Sequence, residues 1–374
     1  MQIFDVYPKV PIQLVNADKY YVFDKNDNKY LDFYGGNAVI SIGHKHPHYI
    51  KSIYKTLKSI SYYSNLIEIE QQNELSNKLA TLSNCIDYNL FLVNSGAEAN
   101  ENALKIASFY NGRKKIISFK KSFHGRTSGA LSVTDNLNFQ SNFNKNNNVI
   151  FLPINDKESL YKNCDESISA IIIEGIQGMG GINEIDSSFM QAIRKICDKY
   201  NIIMIVDEVQ SGYGRTGNFF AYQLHNIKPD IISIAKGMGN GFPIGGVIIS
   251  NKIKPIMGYL GTTFGGSYLA CSAAIAVLDI IKKENLINNA KKIGLYFTNQ
   301  AKSIKIIDNI KGKGLMIGLC FKNYDIKYIH NTLLMKYKIF TGLSGDHKTL
   351  RILPPLNITY KEVDYFLNIL DQKL

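Results

Sequence analysis

Three apolar runs, AIIIE, NIIMIVDEVQ and DIISIAK, each carry an ionisable side chain at or near the carboxyl end: Glu174, Asp207 and Lys236. From Glu174 to Asp207 is 33 positions, and from Asp207 to Lys236 is 29. That is the length of one strand–helix–strand unit. Between the first two runs lies SSFMQAIRKICDKY, whose Phe189, Met190, Ile193, Ile196, Cys197 and Tyr200 fall on one helical stripe. Unbroken apolar strands of this kind belong to a parallel sheet covered on both faces by helices. The fold class is therefore α/β. Open sheets of this class bind ligands beyond the carboxyl ends of their strands, so all three ionisable groups are expected at one edge of one sheet.

The rest of the chain extends the pattern. YYVFDKNDNKYLDF reads as a hairpin with DKNDNK as its turn. NLFLV is a short strand, followed by Asn94, Ser95, Gly96 and Ala97. A helix then runs through EANENALKIASFY with Ala99, Ala103, Ile106, Ala107 and Tyr110 on one face. KIISF, VIFLPI and GGVIIS are further strands, and SYLACSAAIAVLDIIKKENL is a long apolar helix. GLMIGLCF, KIFTG and TLRILPP read as strands of a smaller C-terminal α+β domain, closed by the helix TYKEVDYFLNILDQKL. The polar turn KKEN marks a boundary near residue 285.

Charge narrows the partners. The 374 residues carry a net charge of +12. The lysines come as scattered pairs (114 and 115, 120 and 121, 282 and 283, 291 and 292) rather than as a basic stripe interleaved with aromatics. That favours anionic small-molecule substrates over nucleic acid. The five cysteines, at 85, 164, 197, 271 and 320, are odd in number and form no CxxC, so neither a disulfide framework nor a zinc site is supported. A reducing cytoplasm fits. MQIFDVYPKVPIQLV lacks a basic segment followed by an apolar core, as a signal peptide would need. No apolar run approaches the roughly 18 residues of a membrane helix.

Lys236 poses the chemical question. It follows Ile231, Ile232, Ile234 and Ala235 and precedes Gly237, Met238 and Gly239. Either it is an ordinary strand-end lysine that reaches water, or it is an amine whose pKa is depressed by burial and which attacks a carbonyl. Ser95, Gly96 and Ala97 follow a strand and open a helix, where backbone N–H groups and the helix dipole favour an anion such as phosphate. Serine is equally a common N-cap there. Neither GxxxxGK[ST] nor GxGxxG occurs after that strand, which excludes a Walker loop and a dinucleotide fingerprint. A phosphate site, an amine and a carboxylate at neighbouring strand ends together suggest pyridoxal phosphate. FHGR, residues 123–126, supplies an aromatic to stack on a ring and an arginine for a carboxylate.

These residues, with YLDFYGGNAVISIGHKHP, NSGAEANENALKIA, SFHGRT, VDEVQSGYGRTG, IAKGMGNGFPIGG, GTTFGGSYLA and RILPPLNIT, make the chain resemble the class III, fold-type I aminotransferases. Within them it is most similar to the acylornithine (acetylornithine or succinylornithine) group. The resemblance covers nearly the whole chain. It implies a large domain, residues 45–285, with a mostly parallel seven-stranded sheet sandwiched by helices. A smaller α+β domain is built from both chain ends, 1–44 and 286–374. It also implies a pyridoxal-phosphate enzyme that moves the terminal amine of N-acylornithine to 2-oxoglutarate, in arginine biosynthesis in the cytoplasm. Ornithine, γ-aminobutyrate and lysine-biosynthetic aminotransferases are the alternatives, with a non-enzymatic basic binding protein more distant.

By the same resemblance Lys236 holds the cofactor covalently and later shuttles the proton, and Asp207 pairs with the pyridinium nitrogen. Gln210 reaches the ring 3-oxygen, Ser95, Gly96 and Ala97 hold the phosphate, and Phe123 stacks on the ring. Thr263 serves the phosphate of a neighbouring subunit with Thr262 beside the substrate, which requires a homodimer. Arg126 binds the distal carboxylate of either substrate, Arg351 the α-carboxylate of glutamate, and Glu174 stands behind these groups. Two positions depart from the family pattern. Met179 stands where a glutamate is usual and would pair with Arg351, so Arg351 is expected to stay free or to find another acceptor. Asn37 stands where the free-ornithine enzymes carry a tyrosine, which argues against free ornithine as donor.

Other motifs read more plainly. His44, His46 and His48 alternate as metal ligands might, but a histidine–proline turn occurs in this family without metal, and no metal is expected. Ser233 to Lys236 spells SxxK without the SDN and KTG partners of penicillin-binding enzymes. Asp207 and Glu208 are adjacent on a strand, so Glu208 is expected to face away. GYGRTG is expected as an active-site lid rather than a nucleotide cradle.

Overall fold

The computed structural model describes residues 1–373. Its centre is a seven-stranded sheet in the order Tyr88–Val93, Gly245–Ser250, Ile231–Ile234, Ile203–Asp207, Ile168–Glu174, Lys115–Phe119 and Val149–Leu152. Gly245–Ser250 runs antiparallel to both neighbours, and the remaining described pairings are parallel. Every residue of Ile168–Glu174, Ile203–Asp207 and Ile231–Ile234 is buried. The isoleucine-rich runs are therefore the central strands, because β-branched side chains suit a pleat packed on both faces. Register puts Glu174 opposite Asp207, and Asp207 opposite Ser233. The expected gathering of strand ends at one edge is observed.

The helices that cover the sheet show how local signals act. Helix Ser187–Tyr200 buries Phe189, Met190, Ile193, Ile196 and Cys197 and half-buries Tyr200. It stops at Asn201, whose left-handed φ of 50° lets its N–H cap the Cys197 carbonyl. Helix Gly96–Asn111 is capped by the Ser95 hydroxyl, which accepts from the Glu98 N–H at 3.2 Å, and ends at Gly112 with φ 70°. Tyr110 leaves its predicted face: it is exposed, under the Lys252 ammonium.

Both chain ends build the remaining sheets. The hairpin strands Tyr21–Asp24 and Lys29–Asp32 are joined by a turn that the Asp24 carboxylate organises, accepting from the Asn26 and Asn28 N–H groups. Lys29–Asp32 then pairs in parallel with Ile339–Phe340. A second four-stranded sheet holds Ile307–Lys313, Met316–Phe321, Thr349–Ile352 and Gly342–Leu343. The first of these strands is not expected from the sequence. Asp308, Asn309, Lys311 and Gly312 break its apolar pattern, and pairing with Met316–Phe321 holds it in place.

The GYGRTG loop differs from expectation too. Tyr213 and Arg215 are each 1% exposed. The Arg215 guanidinium donates to the carbonyls of Leu315 (3.3 Å), Ile40 (3.4 Å) and Pro354. Burial lowers its pKa to about 9. This loop is a buried pin joining three segments distant in sequence, not a surface lid.

Candidate active site

The carboxyl edge of the sheet opens into a cavity of 370 Å³. Lys236, Asp207 and Glu174 line it, with Ser95, Gly96, Ala97, Phe123, Arg126 and Gln210. The lysine does not extend its strand as predicted. The strand ends at Ile234, and Lys236 lies two residues on, at φ 47°, opening a short 3₁₀ turn. A lysine in the left-handed region is uncommon, and here that conformation brings it into the cavity wall. Desolvation pushes its pKa down, against the opposing pull of Asp207 and Glu174. Of the two sequence readings, the amine with a depressed pKa is the one the geometry matches.

Asp207 is held by three donors. Its Oδ2 accepts from Asn100 Nδ2 at 2.7 Å and faces His124 Nδ1 at 2.8 Å, and its Oδ1 accepts from the Val209 N–H at 3.0 Å. Neither His124 nor Asn100 was singled out in the sequence. Asn100 left a signal, a polar residue on the buried face shared by Ala103 and Ala107. His124 was masked by its neighbours in FHGR, which were read for Phe123 and Arg126. Glu208, by contrast, points away: it is fully buried and accepts from the Ser211 hydroxyl and the Tyr222 N–H.

Glu174 ties the segment that carries Phe123 to the sheet. Its Oε1 accepts from the Phe123 N–H at 3.0 Å and its Oε2 from the Gly178 N–H at 2.9 Å. Burial raises its pKa to about 7, with Asp207 adding to the rise and His124 opposing it. Such a carboxyl binds its proton more tightly in the folded chain than in the unfolded one. Its contribution to stability is present below the ordinary 4.5 and falls as pH rises from there to about 7. Glu174→Gln should flatten this part of the stability profile by on the order of 1–3 kcal/mol, read as unfolding midpoints across that window. An unchanged slope would contradict the assignment.

The cavity wall also fits the cofactor that the residues suggest. Gly96 and Ala97 open a helix of 16 residues, so their amides point out of its N-terminus. A Cβ on Gly96 would lie 2.6 Å from a Val209 methyl, and one on Gly178 would lie 1.8 Å from Gln210 Oε1. These glycines let the walls close. Gln210 Oε1 is buried with no partner among the described residues, while its Nε2 donates to the Asn37 carbonyl at 3.2 Å. Amine, carboxylate, outward-pointing helix amides, a phenyl ring on the wall and an unmatched polar atom make a set that suits pyridoxal phosphate.

Two arginines flank the cavity. Arg126 is exposed at its wall, with its guanidinium 3.5 Å from the centroid of Phe139 and 5.9 Å from that of Phe123. Arg351 is 2% exposed and does not line the cavity, but its charge acts on Lys236. Its Nε donates to the Leu343 carbonyl at 3.0 Å and its Nη2 to Asn37 Oδ1 at 3.1 Å. Met179 lines the cavity, and its carbonyl accepts from the Gly345 N–H. The acceptor expected for Arg351 is thus Asn37. Thr262 lies outside the cavity, with its hydroxyl accepting from Asn94 Nδ2 at 3.3 Å, and Thr263 is exposed. His44, His46 and His48 each face a separate carboxylate, those of Asp32, Glu284 and Asp279.

The family model for class-III aminotransferases matches residues 5–374. The acetylornithine aminotransferase of Caldanaerobacter subterraneus subsp. tengcongensis is 40% identical, over 100% of this chain and 97% of that one. Among solved structures, the ornithine aminotransferase of Toxoplasma gondii ME49 superposes with a TM-score of 0.91 at 26% identity, covering 99% of this chain and 91% of that one. The taurine:2-oxoglutarate aminotransferase of Bifidobacterium kashiwanohense, solved in complex with PLP and glutamate, superposes with a TM-score of 0.90 at 25% identity, covering 100% and 94%.

Proposed function

The chain belongs to the class-III aminotransferases, and from that premise we propose that it transfers the terminal amine of an N-acylornithine to 2-oxoglutarate. The products are an N-acylglutamate 5-semialdehyde and glutamate, a step of arginine biosynthesis in the cytoplasm. One observation carries the reading: a desolvated Lys236 amine shares a cavity with buried Asp207, a helix N-terminus and Arg126, and the charge of buried Arg351 acts on that amine. Relatives named acetylornithine aminotransferase, 35–40% identical along nearly the whole chain, support the choice of donor.

Pyridoxal phosphate, when bound, supplies an aldehyde for the Lys236 amine and a ring that draws electrons from the substrate's reacting carbon. Gly96 and Ala97 would hold its phosphate through their amides, with the Ser95 hydroxyl beside them, and Phe123 and Val209 would flank its ring. Asp207 would keep the ring nitrogen protonated through Oδ1, while His124 and Asn100 hold Oδ2 and orient the carboxylate. Gln210, on the cavity wall, would reach the ring oxygen. With its amine free, Lys236 would be the base that takes the proton from the substrate's reacting carbon and the acid that gives it back. Arg126 binds the carboxylate far from the reacting carbon in both substrates, and Arg351 binds the carboxylate on the reacting carbon of glutamate.

The donor is tested by a panel with 2-oxoglutarate. N-acetylornithine and N-succinylornithine should exceed ornithine and γ-aminobutyrate in kcat/KM by at least about tenfold, roughly the discrimination one lost polar contact gives. Ornithine turning over as well as the acylated donors would overturn the reading.

We place Thr262 and Thr263 in the active site of a second copy of the chain. Thr263 is exposed, and around its loop Ile256, Met257, Tyr259 and Phe264 are exposed too, as an apolar face awaiting a partner would be. Specific activity should therefore fall on dilution through the dimer-to-monomer transition followed by sedimentation. Constant activity through that transition would exclude a shared site. The two-part organisation, 45–285 against 1–44 with 286–374, belongs to the same reading. It agrees with the pairing of the N-terminal hairpin on Ile339–Phe340.

A further inference from the structure

Arg351 is a buried cation facing neutral acceptors. Its hydrogen-bond partners are the Leu343 carbonyl and Asn37 Oδ1, and its Nη1 is buried with no partner among the described residues. The Tyr34 hydroxyl is a further neutral neighbour. No ion pair involves Arg351 among the described residues. Glu174 acts on it only at a distance, without an ion pair; a buried charge with no counter-ion in contact is costly, and an arriving carboxylate relieves that cost.

Asn37 reaches the guanidinium through an unusual backbone. Gly35, Gly36, Asn37 and Ala38 have φ of 55°, 56°, 67° and 64°, four consecutive left-handed residues. Asparagine tolerates this region and alanine does so poorly. The turn is fastened at both ends. Asp32 Oδ1 accepts from the Gly35 N–H at 2.7 Å, the Ala38 N–H reaches the Tyr34 carbonyl at 3.0 Å, and the Ile40 N–H reaches Gly35 at 2.9 Å. A Cβ at Gly35 would lie 2.9 Å from the Leu353 carbonyl. This one residue therefore touches Gln210 through its carbonyl and Arg351 through its side chain.

We infer that Asn37 is the specificity-determining residue of the carboxylate site, a neutral acceptor that aims Arg351 without neutralising it. The inference rests on the reading that glutamate and 2-oxoglutarate use Arg351. A carboxylate on the reacting carbon meets a fork already oriented, with Nη1 free and no protein anion to displace. An acylornithine brings no carboxylate there. Its terminal ammonium approaches an uncompensated cation instead. Asn37 thus biases the pair of half-reactions toward the amino acid and oxo acid that carry a carboxylate beside the reacting carbon.

The test compares holoenzyme with Asn37→Asp and Asn37→Gly. Glycine keeps the left-handed turn and removes the acceptor. Aspartate keeps the shape and adds a charge. Glutarate, an unreactive dicarboxylate, is titrated by calorimetry, and each half-reaction is followed in single turnovers. Aspartate should weaken glutarate binding at least about tenfold, as a competing charge-assisted bond would. Glycine should weaken it less. In Asn37→Asp the glutamate half-reaction should need more substrate and the acylornithine half-reaction less. A purely structural defect would push both the same way. Equal glutarate affinity in parent and Asn37→Asp, or parallel losses in both half-reactions, overturns the inference and leaves the function standing. A parent enzyme that binds neither glutarate nor glutamate takes down both.

Discussion

Lys236→Ala should abolish turnover, with a loss of roughly 10⁴-fold or more, while the protein still takes up pyridoxal phosphate. The size follows from two roles resting on one amine. On the proposed function it engages the cofactor's aldehyde and moves the proton at the reacting carbon. No second amine lines the cavity to replace it. Uptake survives because the amides of Gly96 and Ala97 and the Asp207 carboxylate remain. The substitution adds no backbone strain, since position 236 is already an L-residue at φ 47°. Three readings follow the outcome. Borohydride should abolish the visible band of the parent protein and leave the cofactor covalently attached, but should attach none to the mutant. Equilibrium dialysis should still find cofactor bound. Added methylamine should restore part of the proton transfer, because a small free amine fits where the lysine side chain was. A mutant with parental activity would remove Lys236 from the chemistry.

What sequence showed and what it hid divide along physical lines. Glu174, Asp207 and the Ser187–Tyr200 stripe were legible because burial on both faces of a sheet, or on one face of a helix, writes a local pattern. The turn at Ser95 to Ala97 was legible for the same reason: a strand end, a serine cap and small residues lie side by side. The cage around Asp207 was not. Asn100 and His124 reach that carboxylate across 107 and 83 positions of chain, and Asn37 reaches Arg351 across 314. Contacts at that separation leave no periodicity. The strand Ile307–Lys313 was hidden because pairing with its neighbour, rather than its own apolar content, holds it. GYGRTG was misread because glycines suggest mobility, whereas Arg215 spends its donors on buried carbonyls. The left-handed turn at Gly35–Ala38 was hidden for a different reason. Ala38 has no propensity for that conformation, so only the surrounding hydrogen bonds determine it.

Asp207→Asn should slow proton removal from the reacting carbon by roughly 10²–10³-fold, the usual cost of removing one preorganised charged group, and weaken cofactor binding far less. The asymmetry comes from the donors already in place. Oδ2 receives Asn100 Nδ2 and faces His124, and Oδ1 receives the Val209 N–H. A carboxylate accepts at both ends, but an amide accepts at one. If the new NH₂ takes the Oδ2 position, it meets the NH₂ of Asn100. That group cannot turn away freely, because it also donates to the His124 carbonyl at 2.7 Å. The amide oxygen therefore settles at Oδ2, where two groups meet it, and the NH₂ takes the Oδ1 position, where the Val209 N–H loses its acceptor and the cavity meets a donor. There it donates where the carboxylate accepted, so the ring nitrogen loses the partner that keeps its proton, and the ring loses its pull on electrons. Binding depends less on this atom, because Lys236, the helix N-terminus and Phe123 are untouched. Single-turnover rates with deuterated substrate, set against the cofactor dissociation constant, separate the two effects. Were rate and affinity to fall by the same factor, Asp207 would be a carboxylate that only supports the pocket, and the assignment of its Oδ1 to the ring nitrogen would fail.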